Sequence, residues 1–158
     1  MARVRAELRY YEPVEASVGP VRFTALRLAK REEVEVGGAS DIDRLYDELA
    51  KVVTGARKRG RNLVVEARVS LGDREVVYSD SSIEGAETLL YYRPARLRAV
   101  TVVEEGPGGS LLQRRYEVGG EVYVYEGRVR VRSDKIRFVI FETVEGRRLL
   151  RRGEFRVG

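Results

Sequence analysis

The stretch EVYVYEGRVRVR, residues 121–132, alternates side-chain type with period two so strictly that a β register is the arrangement it satisfies. With Glu126 and Gly127 as a two-residue turn it forms a hairpin. Tyr125 then pairs with Arg128, Val124 with Val129, Tyr123 with Arg130, Val122 with Val131 and Glu121 with Arg132. One face is all valine, and the other sets two tyrosines and a carboxylate opposite three arginines. Sliding the register by one residue mixes both faces, which argues against a slipped pairing. An isolated hairpin is marginal in water, so the valine face predicts a larger body to rest on.

The rest of the chain offers that body. It has 158 residues, 43% of them hydrophobic, enough for one sizeable core and a single domain over residues 1–158. There is no cysteine and no histidine, which removes disulfides, thiolate nucleophiles, the usual zinc sites and any imidazole triad. The beginning, MARVRAELRYY, lacks the apolar stretch of a signal peptide, and no run reaches membrane-spanning length, so a cytoplasmic location with no membrane partner is expected. Asn62 and Gln113 are the lone side-chain amides, while 35% of residues are charged, the composition of a thermophile protein. In such a chain arginine is abundant by default. Its placement says more: residues 110–158 hold 12 Lys and Arg against 7 Asp and Glu, the whole net charge of +5. That asymmetry points to a polyanionic partner.

Residues 3–10 alternate as an amphipathic strand, with Val4, Ala6, Leu8 and Tyr10 inward and Arg3, Arg5, Glu7 and Arg9 on a solvated face. Pro13, Gly19 and Pro20 predict a loop. Residues 21–36 read as strands with a turn near Arg31 and Glu32, or as a helix opened by Pro20. The clearest helix starts at a Ser40 cap, carries Ile42, Leu45, Leu49, Val52 and Ala56 on one face and ends at Gly60. The cations at its end, Arg57, Lys58, Arg59 and Arg61, answer the helix dipole and also form a candidate phosphate cluster. A hairpin follows over residues 62–79, turning at Gly72 and Asp73. Asp80, Ser82 and Glu84 have the alternate spacing of a hard-cation site. Without a glycine turn or a distal carboxylate they read instead as the Ser81 cap of a short helix, and no metal or other cofactor is expected.

Residues 96–104 are apolar on both faces, as in a strand covered on both sides, with the long helix as its cover. The glycine-rich loop GPGGS at 106–110 lacks the helix and lysine of a phosphate loop and reads as a hairpin connection. Four strands follow: 111–118, the two of the opening hairpin, 136–143 and 147–157. The turn at Gly119 and Gly120 puts either Tyr116 or Arg115 beside Tyr123. The fold class expected is α+β: a twisted antiparallel sheet of about seven to nine strands, open or curled into a partial barrel, packed on one long and one short helix.

For function the leading expectation is a non-catalytic binder of RNA or single-stranded DNA. Tyr123 and Tyr125 would stack unpaired bases, while Arg128, Arg130, Arg132, Arg148 and Arg152 would neutralise phosphates. The same tyrosines and arginines also have a structural reading as cation–π pairs on a solvated face. A second class is an assembly subunit whose basic sheet docks on an acidic protein or on a second copy. A small-ligand half-barrel is a third. An enzyme would have to work with carboxylates, a metal ion and arginines alone.

Overall fold

In the computed structural model the described residues are 4–83, 93–125 and 128–158. The chain runs through β1 (Val4–Val18), β2 (Val21–Val36), the helix α1 (Ala39–Lys58), β3 (Val64–Leu71) and β4 (Arg74–Ser81). It continues through β5 (Ala95–Glu105), β6 (Leu111–Glu117), β7 (Val122–Val124), β8 (Val129–Val131), β9 (Ile136–Thr143), β10 (Arg147–Arg151) and β11 (Arg156–Val157). The architecture is mostly antiparallel sheet with one α-helix among the described residues, and that helix is too short of apolar residues to cross a membrane. The expected short helix after Ser81 falls mainly outside the described residues. Ser81 itself ends β4, and its hydroxyl accepts the Ile83 N–H at 3.1 Å. Two compact units make up the chain, residues 1–13 with 27–85 and residues 14–26 with 86–158, so β1 and β2 each give one end to either unit.

In the first unit β1 is hydrogen-bonded to β2 and β3, and β3 to β4. The β3–β4 register places Val69 opposite Val76 and Ala67 opposite Tyr78, as the alternation around Gly72 and Asp73 predicts. The helix lies on these strands. Leu45, Leu49, Val53 and Ala56 are buried with Ala6, Leu8, Val65, Ala67 and Val69, each leucine contributing roughly 1.5–3 kcal/mol on burial. Val53 takes the core position expected of Val52, which is 36% exposed, because the buried stripe follows i, i+4, i+8 from Leu45. The cap also differs from expectation. Ser40 lies inside the helix, Gly38 precedes it, and Asp41 Oδ2 accepts the Gly37 N–H at 2.9 Å. Tyr46 stacks on Tyr78 with ring centroids 4.8 Å apart. β2 is one continuous strand without the turn expected at Arg31 and Glu32, since nothing in residues 21–36 breaks an extended chain: no glycine and no proline. β1 likewise runs straight through Pro13.

The second unit is built on β5, which pairs with β6 and β7 along one flank and with β9 on the other, while β10 extends β9. The buried Val100 and Val102 of β5 meet Phe23, Val124, Val131, Val139, Phe141 and Leu150 in one core, with Phe23 edge-on to Phe141 at 5.1 Å. α1 plays no part in this core, so the cover expected for β5 is instead sheet. β10 does not run on to residue 157. A 3-10 turn at Arg152–Glu154 interrupts it before β11. β11 pairs in parallel with β8, and β8 pairs with β2, so strands on both sides of β2 contribute to the core and the sheet curls around it.

The largest departure from the sequence reading concerns residues 121–132. β7 and β8 do not pair with each other. Both lie along β2, on the flank away from β1, and β7 also pairs with β5, placing Val124 opposite Ala95 and Tyr123 opposite Arg96. The expected turn residues Glu126 and Gly127 lie outside the described residues. Nor do Gly119 and Gly120 reverse the chain, since β6 and β7 follow the same flank of β5 in the same direction. A reversal that this unit does make at a glycine is at Gly19, with φ +55°, between β1 and β2. A side-chain carbon there would fall 2.5 Å from Cζ of Tyr116, so the position needs glycine on both counts.

Candidate nucleic-acid interface

The segments 21–23, 129–131 and 155–157 share a simple pattern, a charged residue between two apolar ones. As strands they must send the apolar pair to one face and the arginine to the other. The structure sets the three side by side. Val21 and Phe23 are partners of Val131 and Val129, all four buried, and Phe155 is buried beside β11. The register then makes Arg22 the partner of Arg130, and Arg130 the partner of Arg156. Three exposed arginines therefore stand abreast on adjacent strands, with neighbouring Cβ atoms about 5 Å apart. Backbone bonds hold the strands in place: Arg132 N–H to Pro20 O at 3.1 Å, and Gly158 N–H to Val131 O at 2.6 Å.

Among the described residues Arg22, Arg130 and Arg156 form no ion pair. That is unusual for this molecule. Arg115 is clamped between Glu117 at 2.8 Å and Glu142 at 2.9 Å, Arg137 is paired with Glu105, and Arg68 binds Glu66 at 2.6 Å. The hydrogen bond from Arg115 holds the Glu142 carboxyl below its ordinary range. The acidic groups near the row are engaged or offset. Glu15 accepts the Thr24 hydroxyl at 3.2 Å, and exposed Glu154 lies two residues before Arg156. Like charges opposite one another in a sheet are destabilising, here by on the order of 0.5–1 kcal/mol per neighbouring pair in water. A polyanion reverses the sign of that interaction. Guanidinium forks suit phosphate oxygens in particular, because each can donate two parallel hydrogen bonds.

Of the residues expected to form the site, Arg130 lies in the row, and Arg128 and Arg132 lie just before and just after β8, both exposed. Tyr123 and Tyr125 do not belong. They are 5% and 7% exposed, so their rings offer no open face for an unpaired base. The reason is that Tyr123, Val124 and Tyr125 are buried in succession, which requires cover on both faces of β7. Arg148 and Arg152 are exposed, but Arg148 pairs with Phe141 on β9 and Arg152 sits in the 3-10 turn, and no strand pairing brings either beside β8. Arg22 and Arg156 take their places. The signal for Arg22 is the alternation Val21, Arg22, Phe23, legible only once its strand partner is known.

Other candidate groups serve the fold. Asp80 accepts the Ser81 N–H and the Tyr78 hydroxyl, and the Ser82 hydroxyl bridges Leu63 N–H and Arg61 O. Of the cations near the end of α1, Arg57 donates to Ser81 O and Arg61 to Glu12, whereas Lys58 and Arg59 are exposed. A cavity of about 40 Å³ lies among Val102, Glu104, Leu112, Arg114 and Tyr116, far below the several hundred Å³ of a typical ligand pocket.

Fold and surface thus define a class, an α+β protein of mostly antiparallel sheet presenting a file of unpaired arginines. No family model, curated protein or solved structure matches the chain.

Proposed function

We propose that this protein binds nucleic acid without catalysing a reaction on it, through the phosphates rather than through base stacking. The observation that carries the reading is the in-register row Arg22, Arg130 and Arg156, exposed and without carboxylate partners, in a chain whose other arginines are so often paired. The location of the whole net charge of +5 in residues 110–158 supports it. Neutralising Z phosphates on a duplex makes log K fall with log salt at a slope of about −0.9Z. Replacing all three arginines with glutamine should therefore flatten the slope by between two and three.

The test is fluorescence anisotropy with labelled RNA and DNA across a series of salt concentrations. The control is Lys51 and Lys58 on α1 and Arg59 just past its end, all exposed and all changed to glutamine, which removes the same charge from elsewhere. Loss confined to the row variant supports the reading. Equal loss from both variants reduces it to bulk charge.

One observation favours a second reading, docking of another protein. Among the described residues strand β6 pairs only with β5, and it carries Leu111 and Leu112, 61% and 57% exposed. A strand paired on one side is a template for strand addition, although Arg114 and Arg115 on it are also the usual guards against self-pairing. A dimer that Leu112→Asp dissociates, measured by sedimentation, would place the function there.

A further inference from the structure

We infer that β10 docks an acidic, extended segment of a partner protein by strand addition, a surface that draws nothing from the arginine row or from the phosphate-binding reading above. Three observations within the second unit carry it. The first is the backbone of β10. Among the described residues β10 pairs with β9 alone and stands at the end of the strand order. Thr143 and Gly146 exchange both backbone hydrogen bonds, at 2.7 and 3.4 Å, across the turn that joins the two strands. In an antiparallel pair such bonded pairs alternate with open ones, so Arg148 and Leu150 bond to β9 while Arg147 and Leu149 turn their N–H and C=O groups outward. Outward groups of this kind are a template for a further extended chain.

The second observation is what lies on the outer face of the sheet beside that edge. The register puts Leu149 beside Ile140, Arg151 beside Phe138, and Val103 of β5 beside Phe138 in turn. Their alternate neighbours Leu150, Val139 and Val102 are in the core, so these side chains point away from it. Leu149 is 47% exposed, and Ile140, Phe138 and Val103 are only half-buried. An apolar side chain of an added strand, set opposite Leu149, covers part of this patch, whereas a phosphate chain gains nothing from it.

The third observation is charge. Arg147 and Arg151 flank Leu149 on the same face, both exposed and, among the described residues, without an ion pair. Glu142, opposite Arg147 and within reach of its charge, is bound by Arg115 at 2.9 Å. Glu145 is bound by Arg93 at 3.2 Å, and exposed Glu154 follows in the 3-10 turn. A second copy is the wrong occupant, because two β10 strands related by a two-fold axis at Leu149 set Arg147 against Arg151 twice. A strand with carboxylates opposite Arg147 and Arg151 and an apolar residue opposite Leu149 turns that repulsion into attraction. The complementary pattern is acid, any, apolar, any, acid.

The experiment is fluorescence anisotropy of the whole protein with a labelled peptide of about nine residues, in which two glutamates flank a valine at alternate positions and threonine fills the rest. Two controls keep its composition and charge: one scrambles the order, and the other methylates the valine N–H that would bond to Leu149. The expected result is saturable binding of the alternating peptide, at least about ten-fold tighter than either control. Arg147→Glu combined with Arg151→Glu should weaken it by at least about ten-fold and favour instead a peptide with lysines in place of the glutamates, with circular dichroism checking the fold. The row variant should bind the peptide unchanged. Equal binding of the scrambled peptide would put the attraction down to bulk charge and overturn the proposal. So would the absence of saturable binding, or displacement of the peptide from the row variant by unlabelled RNA, which would make the edge a phosphate site. None of these outcomes bears on the row, whose own test is the salt slope with nucleic acid.

Discussion

Two regions of this molecule handle arginine in opposite ways. On β1, β2 and β3 of the first unit, arginines and carboxylates interlock: Arg9 binds Glu7 at 2.6 Å, Arg31 reaches Glu7 at 2.9 Å, and Arg68 binds Glu66, which is fully buried beside Tyr11. On β2, β8 and β11 of the second unit, three arginines face one another with no carboxylate between them. In the first region charge has become internal structure, paired with neighbours although Glu66 Oε2 is buried without a hydrogen-bond partner. In the second it stays exposed at the surface. Total charge does not distinguish the two; pairing does.

The contrast is broken most sharply at Glu66. Its removal leaves Arg68, itself only 19% exposed, with only the Glu75 carboxylate at 4.0 Å, and Glu66→Ala should cost about 3 kcal/mol in denaturant unfolding. Arg130→Gln should cost nothing and raise stability slightly, because it relieves repulsion within the row. A loss of comparable size at both positions would erase the distinction between the regions.

Next in size is Tyr123→Ala. A buried ring lost from β7 should destabilise by about 3 kcal/mol, while the protein that remains folded binds nucleic acid with unchanged salt slope. A binding defect without a stability defect would return the tyrosine to the interface.

The smallest effect comes from acid. Burial pushes the Glu7 carboxyl up, but the hydrogen bond from Arg9 and the charges of Arg9, Arg31 and Arg68 more than offset it, and its pKa lies below the ordinary 4.5. Glu12 is held down by hydrogen bonds from Arg61 and Arg27, and Glu142 by the one from Arg115. Each carboxyl therefore binds its proton less tightly folded than unfolded. The stability this provides is complete above about pH 4.5 and fades as pH falls through the lower folded values. The chain has no histidine, so stability and nucleic-acid affinity should both be level from about pH 5 to 8 in thermal melts and anisotropy. A midpoint of acid loss above pH 5 would mean that these pairs are not what acid breaks.

Local chemistry was legible where it determines structure by itself. The β3–β4 hairpin, the helix with its apolar stripe, and the loop at 106–110 joining β5 to β6 all follow from period and turn residues close in sequence. Residues 121–132 show where that legibility ends. Alternation correctly put Val124, Val129 and Val131 inside, but period fixes which face a side chain takes, not which strand lies beside it. Partners at a distance, Ala95 for Val124 and Val21 for Val131, decided the pairing and with it the burial of the tyrosines. The charged face of β1 failed for a similar reason. Arg9 and Glu7 read as solvated, yet they are 14% and 28% exposed, because Glu66 and Arg68 on β3 continue the same face. The candidate site was half legible: Arg128, Arg130 and Arg132 came from the local alternation over residues 128–132, whereas Arg22 and Arg156 needed the register between strands.

The origin of the three arginines also bears on how the molecule assembles. Arg22 comes from one end of the sequence, Arg130 and Arg156 from the other, and β8 and β11 are strands of only three and two residues. Closing a loop of that length is entropically slow, and strands so short add little to hold it shut, so the row belongs to the late, locally labile contacts of folding. A polyanion bound as proposed would recognise only the chain in which all three strands are docked. At a hundred times its Kd it would add about 2.7 kcal/mol to the folded state, concentrated where the sheet is otherwise easiest to open.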